Sequence, residues 1–255
     1  MPVSYSPSLS VSDSPAKGPD ERFFVGGGGA STPLVVIQDT FTNDTASAVD
    51  LDAHTPDVDN VGGGWTVTDG DGSAFTGTQD VLTNDTFRFL GGDTSSLRGI
   101  ARIDSGVTTG VAAETVAVAG QYSRWVKFLT RYVDTDNCFI LSARVYDGGG
   151  NAEAYIHELT GGTLTQRAVD LTAGSSPSPG DLDRIWFQDN GTRLSIGFVQ
   201  SDGTRLAEAL GYDSATHFGS SIVGLSDSAL GASIPDRCDI DSFTVISTPD
   251  YTQLP

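Results

Sequence analysis

The chain has 255 residues, enough for one large β-domain or two small ones. Its 33 acidic residues against 14 basic ones give a formal net charge of −19, a field that repels phosphate backbones and anionic membranes. Nucleic acid and membrane are therefore not expected partners, and the acidic surface reads first as a device for solubility. Glycine is frequent at 31 residues, and no helical periodicity stands out, which favours strands and turns. If about 210 residues are globular, roughly 70% of the unfolded surface can be buried without a covalent staple.

Residues 1–36 differ from the rest. They carry Pro2, Pro7, Pro15, Pro19 and Pro33, many serines, and the run Gly26-Gly27-Gly28-Gly29. That composition describes an extended arm with a glycine hinge. The glycine run lacks the Lys-Ser/Thr of a phosphate loop. Fixing a backbone costs ~1–2 kcal/mol per residue. The arm's larger apolar side chains, Val3, Tyr5, Leu9, Val11, Phe23, Phe24 and Val25, return only ~1.5–3 kcal/mol each on burial. A sheet edge or groove on another subunit is the economical partner, and folding back onto its own domain is the alternative. The first lysine is at 17, no apolar leader is visible, and no stretch has the roughly 18 apolar residues of a membrane span. Synthesis in a host cytoplasm is expected, with Cys138 and Cys238 reduced; a disulfide between two strands stays open as an alternative.

The globular part is expected to start at Leu34–Ile37, with Asp39-Thr40-Phe41 as its first strand. A long loop, Thr42–Gly64, follows and is closed by Trp65-Thr66-Val67. Strands are predicted at Thr86–Leu90, Leu97–Ile103 and Val111–Ala119. Tyr122–Leu171 then reads as four strands joined by tight turns, an antiparallel meander punctuated by Asp/Asn/Gly clusters. In its first strand, alternation puts Val126, Phe128 and Tyr132 on one face and Trp125, Leu129 and Val133 on the other. Arg184–Gln188 and Thr192–Gln200 flank Asn190-Gly191, a strong hairpin signal. Further strands are predicted at Thr204–Leu210, Ile222–Leu225 and Cys238–Ser247, before a short polar tail at 248–255. Roughly twelve short strands with regular punctuation indicate an all-β, two-sheet antiparallel sandwich over residues 37–247.

Several segments resemble a known family. Asp39-Thr40-Phe41, Leu51-Asp52-Ala53-His54-Thr55-Pro56-Asp57, Trp65-Thr66-Val67, Arg131–Asn137 and Cys238–Val245 are similar to concanavalin A-like (laminin G-like) jelly-roll modules. Those of phage and bacterial surface proteins come nearest. The resemblance implies that the first and last strands lie side by side, with Phe41 and Phe243 neighbours in the core. It also implies where a glycanase motif, Glu-x-Asp-x-Glu on the concave sheet, would stand. The five glutamates, Glu21, Glu114, Glu153, Glu158 and Glu208, do not have that spacing. Asp181/Asp183 and Asp239/Asp241 are the remaining carboxylate pairs, and such pairs at strand ends are usually solvated rims.

His54, His157 and His217 lack the spacing of a zinc site, and no Gly-x-Ser-x-Gly occurs. No catalytic and no metal-ligating residues are therefore named. Calcium is the one cofactor kept open, because the loop at 42–60 and the turn at 69–71 are rich in hard oxygen donors. Trp65, Tyr146 and Tyr155 are candidate glycan contacts, with Trp125 and Trp186 also available; each competes with use in the core, and Trp186 is expected buried. The expectation is a non-enzymatic structural protein of a phage-like virion. It would be a capsid decoration or cement protein, attached through its arm to capsid or tail subunits. Homo-oligomerisation is expected, a trimer being one form. A glycan-binding adhesion module of a tail fibre or other appendage is the alternative.

Overall fold

The computed structural model describes residues 33–74, 78–90, 97–117, 125–145, 152–170, 182–200, 202–204, 209–228 and 239–254. The arm residues Val3, Tyr5, Leu9, Val11, Phe23, Phe24 and Val25 lie outside that set, as do Tyr146 and Cys238. The strands are β1 (Val35–Asp39), β2 (Val49–Asp50), β3 (Val58–Asp59), β4 (Thr66–Asp69), β5 (Thr78–Val81), β6 (Phe87–Leu90), β7 (Leu97–Asp104), β8 (Val111–Ala117) and β9 (Val126–Asp134). They continue with β10 (Asn137–Val145), β11 (Ala152–Thr160), β12 (Thr163–Asp170), β13 (Leu182–Asp189), β14 (Arg193–Gln200), β15 (Leu210–Asp213), β16 (Ile222–Ser228) and β17 (Ile240–Ile246).

Two antiparallel sheets form a sandwich. One runs β15-β14-β13-β8-β17-β6-β5-β2, with β1 and β3 joined through β17. The other runs β12-β11-β10-β9-β16-β7-β4. The meander expected at Tyr122–Leu171 is β9 to β12, each strand paired with the next. Asn190-Gly191 turns β13 into β14 as predicted. Gly191 adopts a φ of 86°, and the Asn190 side chain accepts from the backbone of Thr192 and Arg193.

The core between the sheets is built by the inward residues of each strand, among them Ile37, Val81, Phe128, Phe139, Leu141, Ile156, Phe187, Ile196 and Phe243. Each such side chain contributes ~1.5–3 kcal/mol by leaving water. The first and last strands lie side by side, with Asp39 opposite Phe243. Phe41 and Phe243 are both fully buried, and the Trp65 indole bridges them at ring distances of 6.2 and 5.6 Å.

The first strand is Val35–Asp39 and stops where Asp39-Thr40-Phe41 was expected to be extended. Phe41 turns left-handed at φ 49°, and its N–H is donated to the Asp39 carboxylate at 2.7 Å. The same buried carboxylate accepts from the Trp65 indole N–H at 2.6 Å and meets His54 Nε2 at 2.9 Å. Three of the five phrases that carry the family resemblance thus meet on one oxygen pair.

A second difference falls in β9. Arg131 has a φ of 50°, and the β9–β10 register slips beside it. The alternation therefore shifts, and Tyr132 joins Leu129, Ile100 and Ile140 on the outer face instead of Phe128 in the core. Arg131 itself is buried. It holds Asp189 through two hydrogen bonds of 2.7 and 2.6 Å and donates to the carbonyls of Ser214 and Thr216.

Most of the strand expected at Thr204–Leu210 lies outside the described residues; from its last residue a strand runs over Leu210–Asp213, paired with β14. Trp186 is fully buried, as expected, but on the outer face of the larger sheet. There the chain's last turn covers it, Tyr251 stacking on the indole at 3.6 Å and 4°. Gly197 makes room on β14, since a Cβ there would stand 2.4 Å from the Trp186 ring. Residues 248–254 are accordingly part of the packed domain.

Candidate functional site

Every residue on a strand's outward parity either reaches solvent or must be satisfied by something else. The outer face of the seven-stranded sheet can be followed across by register, because directly paired residues share a face. Ser142 on β10 pairs with Lys127 on β9 and with Tyr155 on β11. Gly224 pairs with Leu129 and Leu225 with Phe128, so the next step brings Ser226 of β16 beside Lys127. His157 pairs with Ile140, one row from Tyr155. Arg144 pairs with Glu153 and lies over the Trp125 ring at 4.5 Å.

This half of the face is polar and aromatic. Trp125 meets Tyr155 edge to face at 5.2 Å, and Tyr155 stacks on His157 at 5.7 Å. Arg144 Nε donates to Glu153 at 2.8 Å, so its charge is locally cancelled. Burial pushes the His157 pKa down to about 4, keeping the imidazole neutral at physiological pH. The Tyr155 phenol is raised, first by desolvation and then by the nearby Glu153 carboxylate. The other half of the face is apolar, formed by Ile100, Leu129, Tyr132, Cys138, Ile140 and Leu159. Cys138 is free there, its thiol pushed up to about 12 by burial, and is therefore an unreactive packing residue.

Of the candidate glycan contacts, Tyr155 stands on this face, half-buried. Trp65 does not: it is buried, with its indole N–H held by Asp39, and serves the core. Tyr146 lies outside the described residues. The sequence did not point to Ser142, Ser226 and Lys127, because strand order alone brings β10, β9 and β16 together. His157 was read there as a packed or edge residue and takes its place in the ring stack.

The carboxylates have other employment. The three described glutamates, Glu114, Glu153 and Glu158, are bonded to Arg184, Arg144 and Arg167 respectively. Glu153 and Glu158 face opposite sides of β11, as their spacing requires. Asp239 is paired with Arg88. In the long loop, Asp57 accepts from the Thr40 backbone and hydroxyl, and Asp59 accepts from the N–H groups of Gly62 and Gly64. These carboxylates shape the loop on which calcium was considered. Among the described residues, no group of three or more His, Cys, Asp or Glu is placed to hold a metal ion. Among the same residues, no helix is long and apolar enough to cross a membrane.

The architecture is an all-β jelly-roll sandwich of two antiparallel sheets. The GH43 protein BlXynB from Bacillus licheniformis shares the fold at a TM-score of 0.51 and 12% identity, over 83% of this chain. The chain spans about two fifths of that protein's length, the match covering 39% of it. The CBM2 module of the evolved Dit of Lactobacillus casei BL23 phage J-1 aligns at a TM-score of 0.48 and 10% identity, over 85% of this chain and 97% of the module. No protein-family model and no curated protein matches the sequence.

Proposed function

We propose that this chain is a non-catalytic carbohydrate-binding jelly-roll module of a phage-like particle, attached to other virion subunits through residues 1–36. The observation that carries the binding role is the ring ladder Trp125–Tyr155–His157 on the outer face of the seven-stranded sheet, flanked by the Arg144–Glu153 pair. Sugar recognition combines an aromatic surface with hydrogen-bonding side chains, and this half of the face offers both. The non-catalytic role is supported by the commitment of Glu114, Glu153 and Glu158 to arginines, whereas retaining hydrolysis needs two carboxyl groups about 5–5.5 Å apart.

The particle context is supported by the resemblance of Arg131–Asn137 and Cys238–Val245 to modules of phage and bacterial surface proteins, and by the composition of the arm. A decoration or cement role is the finer form of this proposal.

Two experiments test it. On a glycan array the full chain is expected to bind, and Tyr155→Ala is expected to lose at least tenfold in affinity while remaining folded, with a lowered melting temperature from the lost ring packing. Binding unchanged in that variant would remove the face from consideration. A chain trimmed to begin at Pro33 keeps β1 whole and is expected to fold, to bind sugar as before and to fail to join particles. Normal incorporation would end the attachment role of the arm.

A further inference from the structure

Among the described strands, β12 is the longest that ends a sheet with no strand beside it. It runs over eight residues, Thr163–Asp170, whereas the other edges are shorter: four residues in β4 and β15, two in β2 and β3. None of its residues is buried. Val169 pairs with Tyr155 and Leu164 with Leu159, which places both on the outer face, and Val169 is 41% exposed there. A free edge presents a row of unpaired N–H and C=O groups, a template for one more strand. The one irregularity is a bulge that makes Arg167 the extra residue against β11, its side chain held by Glu158.

A segment suited to such an edge stands in the chain's own sequence, outside the described residues. Val3-Ser4-Tyr5-Ser6-Pro7-Ser8-Leu9-Ser10-Val11-Ser12 has serine at every second position and an apolar residue or proline at the others. Period-two alternation is the pattern of a strand with one apolar and one polar face. Backbone groups alternate with the same period, so residues of one parity bond to the neighbour on one side and the rest point the other way. Pro7 has no N–H, so the apolar parity is not the bonding one, and the run suits only an outermost strand. Ser4, Ser6, Ser8 and Ser10 then carry the bonding amides. The run holds no Asp or Glu, so it approaches a molecule of net charge −19 without adding like charge.

Resting on the attachment role of the arm proposed above, we propose that residues 3–12 of one copy add as a strand to the β12 edge of a second copy. Main-chain hydrogen bonds from the serine row hold the strand in place, and Val3, Tyr5, Leu9 and Val11 cover Leu164 and Val169 on the outer face. Residues 13–32 can span about 65 Å at ~3.3 Å per residue. Pro15 and Pro19 favour an extended link, and with it a neighbouring molecule over the chain's own edge. Each copy carries one donor segment and one acceptor edge. The contact is therefore head-to-tail and closes into a ring where its rotation allows, a trimer being one such ring. Pro7 on the outer side makes the added strand a poor template for another, which limits growth of the sheet.

The test uses the full chain, analytical ultracentrifugation over a dilution series, and backbone hydrogen exchange. The chain is expected to associate reversibly, and the edge-facing amides within Thr163–Val169 to exchange at least tenfold more slowly when associated than on dilution. The double variant S6P/S10P removes two bonding amides and is expected to weaken association at least tenfold. S6A/S10A keeps both amides and is expected to associate as the unaltered chain does. Val169→Glu, at an exposed position, is expected to stay folded and to weaken association at least tenfold. A chain that is monomeric at every concentration, even with its β12 amides protected, would overturn the proposal. So would association that survives the proline pair or Val169→Glu, or that leaves the β12 amides unprotected. Loss of association in the alanine pair would place the contact in the serine side chains and overturn the strand addition. Arm-dependent incorporation into particles alongside any of these failures would leave the attachment role standing; incorporation of the chain trimmed to Pro33 would end both.

Discussion

Replacing Asp189 with alanine is expected to destabilise the sandwich by about 3–5 kcal/mol, the usual cost of leaving one member of a buried ion pair without the other. Asp189 is the bidentate acceptor for Arg131, whose side chain is 1% exposed and whose guanidinium donates to the Ser214 and Thr216 carbonyls as well. The guanidinium also lies within 5.6 Å of the Phe139 ring and 5.5 Å of the Phe218 ring, so water cannot easily replace the lost carboxylate. Asp189 further accepts from the Gly191 N–H, which ties the pair to the β13–β14 turn. Urea unfolding of Asp189→Ala, Arg131→Met and the double variant would measure the coupling. The double variant is expected to be less unstable than the sum of the singles, because it strands no charge. Strict additivity would show that the two residues act independently.

The second large effect is a pH dependence carried by His157. Its folded pKa of about 4 lies below the usual histidine value of 6.5, burial being the cause. The neutral ring's contribution is therefore fully present above pH 6.5 and is lost as the pH falls towards 4. Across that window the loss approaches about 3 kcal/mol, at 1.4 kcal/mol per unit. His157→Phe keeps a ring beneath Tyr155 and cannot ionise, so its stability is expected to be flatter than wild type between pH 7 and 4. A profile parallel to wild type would show that His157 is not the group that titrates. His54 works in the opposite direction. Its pKa is raised, chiefly by the hydrogen bond to Asp39, so its contribution is full below pH 6.5 and is lost as the pH climbs through the raised value. His54→Gln is expected to cost more stability at pH 5 than at pH 9.

The fold was largely legible because the strands carry their own punctuation. Asp134–Asn137, Gly161-Gly162 and Asn190-Gly191 break runs of β-formers at the places where the chain turns, and turn chemistry is local. The first strand was shifted because Asp39-Thr40-Phe41 looks extended, whereas the Asp39 carboxylate captures the Phe41 N–H and turns the backbone over. Tyr132 was assigned to the wrong face for a similar reason. A left-handed arginine breaks a period-two count, and only its distant partner Asp189 holds it there. The candidate face was less legible. Tyr155 was marked by its type, but Ser142, His157 and Ser226 are ordinary strand residues. Their common property, an unmet hydrogen bond, exists only once β10, β11 and β16 are in register.

The closing turn of the chain has a practical bearing. Tyr251 and Leu254 are packed against Trp186 on the outside of the larger sheet, whereas the ring ladder occupies the outside of the smaller one. Tethering the protein to a sensor surface by its C-terminal end would leave the side that carries the ring ladder turned towards the flowing solution. A linker placed there should begin beyond Leu254, so that the aromatic stack stays closed.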